Sequence, residues 1–209
     1  MDASYFDTRY TPDPKRARVW KAITEHLQQF VPPTAAVLDL GAGYCDFINQ
    51  IRAAKKFAAD INPDVATFCA SDVEFLSMPS VGALDVPNRS IDVVFASNFL
   101  EHLSEKDCTD LFDRLDDVLT ANGRIVLIQP NYHYCYREYW DDFTHVRAFS
   151  HVSLADFLRS RQYKLLKVDR RFIPFSFKSV LPKSYGLTRL YLASPWRPLA
   201  KQMLIVAER

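Results

Sequence analysis

Two glycines and one aspartate in the first third of the chain have the types and spacing of a nucleoside-binding turn. Gly41 and Gly43 follow the mostly apolar run 37–40, which predicts a buried strand. Because glycine has no Cβ, the backbone there can turn sharply and approach a ligand closely. Asp60 ends the next apolar run, where a carboxylate can accept hydrogen bonds from both hydroxyls of a ribose.

The same turn argues against a pyrophosphate as the ligand. A dinucleotide-binding loop would place a third glycine where this chain has Asp46. A carboxylate at that point would repel the negative charge of a pyrophosphate. The sequence therefore predicts a nucleoside-like ligand that carries no phosphate group.

These residues need an open α/β sheet to position them. The run 37–40, the glycine turn and an apolar-periodic segment with Phe47, Ile48 and Ile51 predict a strand, a turn and a helix. In such a sheet ligands bind beyond the carboxyl ends of the strands, which is where this turn lies. The other predicted elements are strands at 57–61, 73–76, 91–97, 124–129, 163–172 and 202–207 and helices at 15–30, after Ser104 and from Ser153.

Three motifs in this chain resemble those of class I S-adenosylmethionine-dependent methyltransferases. Residues 39–43 (Asp-Leu-Gly-Ala-Gly) resemble the first motif, residues 92–103 with Leu-Glu-His-Leu the fourth-strand motif, and residues 122–131 the fifth-strand motif. The resemblance covers residues 15–170. It implies one α/β domain over residues 1–209, with a Rossmann-like, seven-stranded, mostly parallel sheet and helices on both faces. The last strand is expected to be antiparallel and to lie at the far end of the sheet.

The resemblance also implies a cofactor and residues that hold it. The cofactor is S-adenosyl-L-methionine, and the product is S-adenosyl-L-homocysteine. The implied contacts come from the glycine turn, the ribose carboxylate and the end of the fourth strand: Asp39, Gly41, Ala42, Gly43, Asp60, Ile61, Asn98 and Phe99. Family members usually carry an acidic residue after the third strand that contacts the adenine amino group, and this chain departs from that pattern. The alternatives for that contact are Ser77, the backbone, Asp72 and Asp85.

A second likeness concerns the acceptor of the methyl group. Residues 139–147 (Tyr-Trp-Asp-Asp-Phe-Thr-His-Val-Arg) are similar to segments of small bacterial methyltransferases of cell-surface polysaccharide biosynthesis. This likeness implies a small-molecule acceptor, and the finer hypothesis is a hydroxyl of a sugar or glycan precursor. A sugar hydroxyl, another small metabolite and a larger molecule all remain open.

Methyl transfer to a hydroxyl is helped by a base beside the departing proton. The candidates beyond the fourth and fifth strands are His102, His133, Asp141, Asp142 and His145. We predict that His145 is the base, because an imidazole titrates near neutrality and the two aspartates could orient it. Asp142 and His133 complete the predicted catalytic set, and His102 is expected to stabilise its motif. The alternative for His145 is a structural hydrogen bond within its loop.

Composition limits the partners. The 209 residues have a formal net charge of +1, so no nucleic acid is expected as a partner. The N-terminal residues lack the pattern of a signal peptide, and no apolar run is long enough to span a membrane. The four cysteines form no CxxC pair and are expected to be reduced, as in a cytoplasmic protein. No metal-ligand spacing is apparent, so no metal is predicted.

The charge is nevertheless unevenly distributed. Residues 161–209 contain eleven Lys or Arg and two Asp or Glu. Between residues 170 and 201 the basic side chains, among them Arg189 and Arg197, are interspersed with aromatic ones. Such a set could clamp a phosphate and stack on a ring, as a phosphorylated sugar carrier would require. The alternative is a solvated surface whose aromatic side chains pack against the sheet.

Two further segments are predicted beside the acceptor. Residues 1–31 are expected to form an N-terminal helical arm whose Tyr5, Phe6 and Tyr10 fold over the cofactor or acceptor, or simply pack. An insertion at residues 173–199 is expected to form a lid or a wall of the acceptor site.

Two other functions remain open from the sequence. One is a nucleotide-dependent oxidoreductase on the same fold, against which Asp46 argues. The other is a non-catalytic module that has kept cofactor binding but lost its chemistry. Intact residues at 39, 41, 43 and 60 favour cofactor binding but do not establish turnover.

Overall fold

A computed structural model describes residues 14–174 and 183–209 of the chain. Its centre is a seven-stranded sheet in the order β3-β2-β1-β4-β5-β7-β6. The strands are β1 (Ala36–Leu40), β2 (Lys55–Asp60), β3 (Glu74–Ser77), β4 (Ile91–Ser97), β5 (Leu119–Pro130), β6 (Lys164–Pro174) and β7 (Ala200–Glu208). β7 is antiparallel to both of its neighbours, and the pairs among β1 to β5 are parallel. The predicted Rossmann-like sheet and its antiparallel last strand are confirmed.

The position of β7 differs from the expectation. It was expected at the far end of the sheet, yet it lies between β5 and β6, so β6 is the edge strand. The burial of the two strands gives the reason. Residues 202–207 of β7 are buried in an unbroken run, whereas most of β6 before Phe172 is exposed or half-buried. A strand that is buried on both faces is stabilised by neighbours on both edges, and an amphipathic, charged strand tolerates the edge.

Five α-helices and four short 3₁₀-helices complete the described chain. The α-helices are α1 (Pro14–Leu27), α2 (Glu105–Val118), α3 (Tyr132–Cys135), α4 (His151–Ser160) and α5 (Tyr185–Ala193). The 3₁₀-helices are Gln28–Phe30, Pro63–Phe68, Leu100–His102 and Tyr139–Asp141. Ser104 caps α2 as predicted, because its side chain accepts a hydrogen bond from the backbone of Asp107. The helix predicted from Ser153 begins earlier, after the cap Ser150.

The helices cover both faces of the sheet, as predicted. Neighbouring residues of β1 point in opposite directions: Val37 belongs to the core beneath α1, and Leu38 to the core beneath α2 and α4. The α1 side contains Trp20, Ile23 and Leu27, and the other side contains Leu111, Phe112, Leu115, Leu154 and Leu158. No helix in the described part of the chain is long and apolar enough to cross a membrane.

The helix predicted after the glycine turn does not form. Residues 41–51 are a series of turns, although Phe47, Ile48 and Ile51 are buried as expected. The backbone explains the difference, because Gly41, Gly43 and Cys45 all have φ between 53° and 65°. A residue in this left-handed region cannot continue a right-handed helix, and the stretch that remains before residue 52 is too short for a stable one.

The predicted arm and insertion are described only in part. α1 lies within the arm at 1–31, and α5 lies within the insertion at 173–199. These two helices contact one another, since the hydroxyl of Tyr185 donates a 2.6 Å hydrogen bond to Glu25. Tyr5, Phe6 and Tyr10 lie outside the described residues, and so do Phe175, Phe177 and Lys178, which belong to the basic and aromatic set predicted between residues 170 and 201. A role beside the acceptor stays a prediction for both segments.

Candidate functional site

The glycine turn lies at the carboxyl edge of β1 and is fastened to the end of β2. The backbone N–H groups of Gly41 and Ala42 both donate to the carbonyl of Ala59, at 2.8 and 3.3 Å. The N–H of Gly43 donates to Oδ2 of Asp60 at 3.0 Å. The turn is therefore held open in a fixed shape at the edge of the sheet where ligands of this fold bind.

The carboxylate of Asp60 accepts hydrogen bonds from the loop after β1 and from the loop after β2. Its Oδ2 holds Gly43, and its Oδ1 accepts a 2.9 Å hydrogen bond from the backbone N–H of Asn62. Burial raises the pKa of this carboxyl above its usual value, and the backbone hydrogen bonds counteract part of that rise. Each carboxylate oxygen has a second lone pair that can accept a further hydrogen bond. The predicted contact of Asp60 with a ribose is compatible with this arrangement.

Asp39 supports the turn from beneath. Its carboxyl is buried, and it accepts a hydrogen bond from the backbone of Ile48. Burial raises its pKa well above the usual value, and the negative charge of Asp60 adds to this effect. The contact with Ile48 fixes the segment after the turn, so Asp39 has a structural role here. A direct contact with the cofactor stays a prediction.

The end of β4 crosses over the glycine turn. A Cβ added to Gly41 would lie 2.6 Å from Cδ2 of Phe99, which is closer than two non-bonded carbon atoms approach one another. Asn98 has a φ of 50°, and its backbone N–H donates to the carbonyl of Ile128 at 2.9 Å. Phe99 is buried against Gly41, and Asn98 is exposed. Both therefore lie where the motif resemblance expects cofactor contacts.

Ile61 and Ser77 lie beside Asp60. Ser77 pairs with Asp60 in the register of β2 and β3, and both Ile61 and Ser77 are exposed. Asp72, an alternative for the adenine contact, lies before β3 and forms a 2.7 Å ion pair with Lys56 near the start of β2. That position is at the amino ends of the strands, so the structure removes Asp72 from the alternatives. Ser77 remains the favoured residue.

Asp46, the residue that argues against a pyrophosphate, has a cationic partner. Nε of Arg16 on α1 lies 2.5 Å from Oδ2 of Asp46. The guanidinium offsets part of the negative charge of this carboxylate. The repulsion that Asp46 exerts on a phosphate is therefore weaker than its sequence position alone indicates.

A second group of polar side chains forms where β4 meets the loop after β5. The 3₁₀-helix Leu100–His102 follows β4 directly, and the carbonyl of Glu101 accepts hydrogen bonds from the backbones of Val146 and Arg147 at 2.9 and 3.1 Å. The rings of His102 and His145 lie 5.0 Å apart between their centroids. The ligand atoms of Glu101, His102 and His145 all lie within 4.8 Å of one another. We call these three residues the Glu-His-His cluster.

Glu101 is the residue of this cluster that sequence reasoning missed. Its side chain is 1% exposed, and neither carboxylate oxygen has a hydrogen-bond partner in the described part of the chain. Burial raises the pKa of Glu101 to about 8, and the charge of Asp142 adds to the rise. A buried carboxylate without a partner is costly and commonly marks a functional position. The one signal in the sequence was its place before His102 in the fourth-strand motif.

His145 lies in the cluster, and a backbone carbonyl orients its ring. Its Nδ1 lies 2.7 Å from the carbonyl of Tyr139. A carbonyl can only accept, so Nδ1 carries the hydrogen and Nε2 is the basic nitrogen. Orientation of His145 by Asp141 and Asp142 stays a prediction. Oδ1 of Asp142 accepts hydrogen bonds from the backbone and hydroxyl of Thr144, at 3.1 and 2.6 Å.

His102 is held by the same loop. Its Nδ1 lies 3.2 Å from the carbonyl and 3.1 Å from the hydroxyl of Thr144. Asp142 thus acts on His102 through Thr144. Burial lowers the pKa of His102 to about 4, so its imidazole is neutral at physiological pH. These contacts agree with the expectation that His102 stabilises its motif.

His133 is not brought into the cluster. It is exposed on α3, and its ring lies 5.0 Å from that of Tyr134 and 5.7 Å from that of His151. Its predicted catalytic role stays a prediction. α3 is nevertheless linked to the cluster through aromatic rings. The ring centroids of Tyr132, on α3, and Tyr139 lie 5.2 Å apart, and those of Tyr139 and His145 lie 4.5 Å apart.

On the other side of α3 lies a basic pocket of about 530 Å³. It is lined by β6 and by the segment before β7: His151, Lys167, Val168, Asp169, Arg170, Arg171, Pro195, Trp196, Arg197 and Pro198. Arg197 has a structural role, since its guanidinium forms an ion pair with Asp169 and donates a hydrogen bond to the carbonyl of Leu192. Arg189, on α5, is exposed over the ring of Tyr185 and is not among the lining residues.

The comparisons with known proteins agree with this arrangement. Residues 38–127, which run from β1 into β5, match the protein family described as "Methyltransferase domain". This match confirms the prediction of a methyltransferase over the oxidoreductase alternative. A search of curated proteins gives no significant match.

Solved structures share the fold. A SAM-dependent methyltransferase from Archaeoglobus fulgidus is 19% identical, with 100% of each chain covered and a TM-score of 0.67. The 1,6-didemethyltoxoflavin-N1-methyltransferase of Burkholderia thailandensis, solved with 1,6-didemethyltoxoflavin and S-adenosylhomocysteine, is 20% identical over 99% of this chain and 84% of its own, with a TM-score of 0.61. A SAM-dependent methyltransferase from Aquifex aeolicus is 15% identical over 100% of this chain and 98% of its own, with a TM-score of 0.62. The chain thus shares the fold of these S-adenosylmethionine-dependent methyltransferases, and its residues 38–127 match a methyltransferase domain.

Proposed function

We propose that this protein transfers a methyl group from S-adenosyl-L-methionine to a hydroxyl of a small molecule. The observation that supports S-adenosyl-L-methionine as the donor is the glycine turn, which a hydrogen bond from Gly43 to Asp60 closes at the carboxyl edge of the sheet. It lies within the residues that match the methyltransferase domain. Asp60 would hold the ribose, Ile61 and Ser77 the adenine side, and Asn98 and Phe99 the other wall.

The Glu-His-His cluster is the proposed position of the acceptor's hydroxyl. It follows the same strand end as Asn98 and Phe99, so it adjoins the proposed donor site along the chain. Methyl transfer is an in-line displacement, so a fixed position for the acceptor oxygen supplies part of the rate. In the proposed mechanism, Nε2 of His145 would take the hydroxyl proton as the oxygen attacks the methyl carbon, and the carbon–sulfur bond of the donor would break to leave S-adenosyl-L-homocysteine. The buried carboxylate of Glu101 would stabilise the imidazolium that forms.

A phosphorylated sugar carrier is the proposed finer identity of the acceptor. The support is the basic pocket, where exposed Lys167, Arg170 and Arg171 lie beside the 78% exposed indole of Trp196. Cationic groups can hold a phosphate, and an indole face can stack on a sugar ring. Tyr134 of α3 contacts Arg171 of the pocket, and Tyr132 of α3 contacts Tyr139, which packs on His145. We propose that one acceptor spans the pocket and the cluster. The likeness of residues 139–147 to segments of methyltransferases of cell-surface polysaccharide biosynthesis agrees with such an acceptor.

Radiolabelled S-adenosyl-L-methionine tests this proposal. The purified chain would be incubated with a panel of nucleotide sugars, sugar phosphates and the matching neutral sugars, and labelled product would be counted. We expect labelling of a phosphorylated sugar, with little for its neutral counterpart. Equal labelling of the phosphorylated and the neutral sugar would refute the proposal that the acceptor is a phosphorylated sugar carrier. Labelling of an amine or thiol in place of any hydroxyl would overturn the proposed acceptor group.

A further inference from the structure

We infer that the Glu-His-His cluster is a binding site for one divalent transition-metal ion, with Zn²⁺ as the best fit. The cluster offers one carboxylate and two imidazoles, and their ligand atoms lie within 4.8 Å of one another. Two histidines and a glutamate form a common ligand set of catalytic zinc sites, which keep a further position open. This ion site goes beyond the proposed function, because it can be tested without a donor or an acceptor.

The state of Glu101 is the first argument. The carboxylate is 1% exposed, and both of its oxygens are without a hydrogen-bond partner in the described chain. A buried carboxylate needs either a proton or a compensating positive charge. No lysine or arginine forms an ion pair with Glu101 among the described residues. A cation bound between Glu101 and the two imidazoles would satisfy this charge.

The second argument is the outer contacts of the two histidines. Nδ1 of His145 donates to the carbonyl of Tyr139, and Nδ1 of His102 contacts the carbonyl of Thr144. Histidines that bind metals typically donate their other ring nitrogen to a carbonyl or carboxylate, which fixes the tautomer and the ring orientation. With Nδ1 of each ring facing a carbonyl, Nε2 is the nitrogen of each imidazole that would coordinate the ion. Asp142, through Thr144, extends this support around His102.

The donor set and its spacing favour zinc over magnesium. Imidazole nitrogens suit Zn²⁺, whereas Mg²⁺ prefers oxygen ligands. Ligands at about 2.0–2.2 Å from a tetrahedral ion lie roughly 3.3–3.6 Å apart. A spacing of 4.8 Å would therefore need to close by at most about 1.5 Å, through side-chain rotations of Glu101 and the histidines.

An ion at this position would change the assignment of the base. Nε2 of His145 would be a ligand, and the acceptor's hydroxyl would occupy the open position. A zinc ion lowers the pKa of a bound oxygen ligand, so the hydroxyl would lose its proton to water and not to the imidazole of His145. The location of the reaction would be unchanged.

Metal binding by the untagged full chain is the direct test. The protein would be stripped with a chelator and titrated calorimetrically with Zn²⁺ and with Mg²⁺. We expect one Zn²⁺ per chain and at least tenfold weaker binding to Glu101→Gln, which keeps the shape of the side chain but removes its charge. The matched control is His26→Gln, because His26 lies on α1 outside the cluster, and it should bind zinc as the parent does.

Two readouts keep the outcomes separate. Donor binding, measured on the same samples, reports whether each variant is folded, and His102→Gln replaces Glu101→Gln if the latter fails to fold. Co²⁺ should give a visible absorption band with the parent that is lost in the cluster variant. A parent that binds the donor but no zinc, or a variant that binds zinc as tightly as the parent, would overturn the ion site. A parent that binds the donor but no zinc would refute the ion site and leave the methyl-transfer proposal intact. A parent that binds zinc but not the donor would refute the methyl-transfer proposal and leave the ion site intact.

Discussion

The backbone N–H of Gly43 donates a 3.0 Å hydrogen bond to the carboxylate of Asp60, joining the turn after β1 to the end of β2. Because the same carboxylate also accepts from Asn62, one side chain organises both loops of the proposed donor site. A ligand that binds Asp60 therefore meets a turn that is already in place. This preorganisation lowers the entropic cost of binding.

Asp60→Ala should weaken donor binding by about 1–3 kcal/mol, because a charge-assisted hydrogen-bond acceptor is lost. It should also lower the melting temperature, since the N–H groups of Gly43 and Asn62 lose their partner. Calorimetric titration and thermal unfolding measure the two effects. Asp72→Ala is the control, because Asp72 is exposed and lies at the opposite edge of the sheet, where it pairs with Lys56. Unchanged donor affinity in Asp60→Ala would refute the ribose assignment.

Gly41→Ala should destabilise the fold and weaken donor binding. Gly41 has a φ of 65°, and an added Cβ would lie 2.6 Å from the ring of Phe99. Each of these strains costs about 1–3 kcal/mol. Adding Phe99→Ala should relieve the clash but not the backbone strain, so the double variant should bind no better than Phe99→Ala alone. Gly82→Ala has open space around it and should unfold as the parent does.

The strands and the glycine turn were predictable from the sequence because their signals are local. β1 and β4 are continuous apolar runs, and the turn after β1 is marked by two glycines. The absence of a helix after the turn was not predictable, because Cys45 adopts a positive φ that its residue type rarely takes. The place of β7 inside the sheet depends on packing against two neighbours, which periodicity does not report.

The cluster was predictable only in part. His145 and His102 were singled out by residue type, but Glu101 appeared as one acidic residue in a motif. Glu101 and His145 are brought together by backbone hydrogen bonds from Val146 and Arg147, which join segments more than forty residues apart. Contacts over such a distance in the chain leave no pattern in a single sequence. The same is true of the Tyr139 carbonyl that orients His145.

His145→Ala should reduce turnover by about 10²–10⁴-fold while donor affinity stays close to that of the parent. This holds whether His145 acts as a base or as a metal ligand, because both roles act on the acceptor. Steady-state kinetics and donor titration separate the two quantities. His133→Ala provides the comparison, since His133 is exposed outside the cluster. Parallel losses of donor binding and turnover in His145→Ala would indicate a structural histidine.

Reversing charge in the basic pocket should raise the KM for a phosphorylated acceptor. Lys167→Glu combined with Arg170→Glu places negative charge where the proposed phosphate binds, and both side chains are exposed. The parent's acceptor affinity should fall with added salt, because exposed charges are screened over about 10 Å at 0.1 M. Arg189→Glu, outside the pocket, should have no effect. A salt-independent KM that is equal in parent and variant would contradict the phosphate site.

The most direct test of the account is calorimetric titration of the purified chain with S-adenosyl-L-methionine, S-adenosyl-L-homocysteine and NAD. The central claim is that the turn at Gly41 and Gly43, closed by Asp60, holds the methyl donor. We predict one site per chain for the methyl donor and for its product, no binding of NAD, and weakening of both affinities by about 1–3 kcal/mol in Asp60→Ala. Binding of NAD in place of the donor, or no binding of either, would contradict the claim.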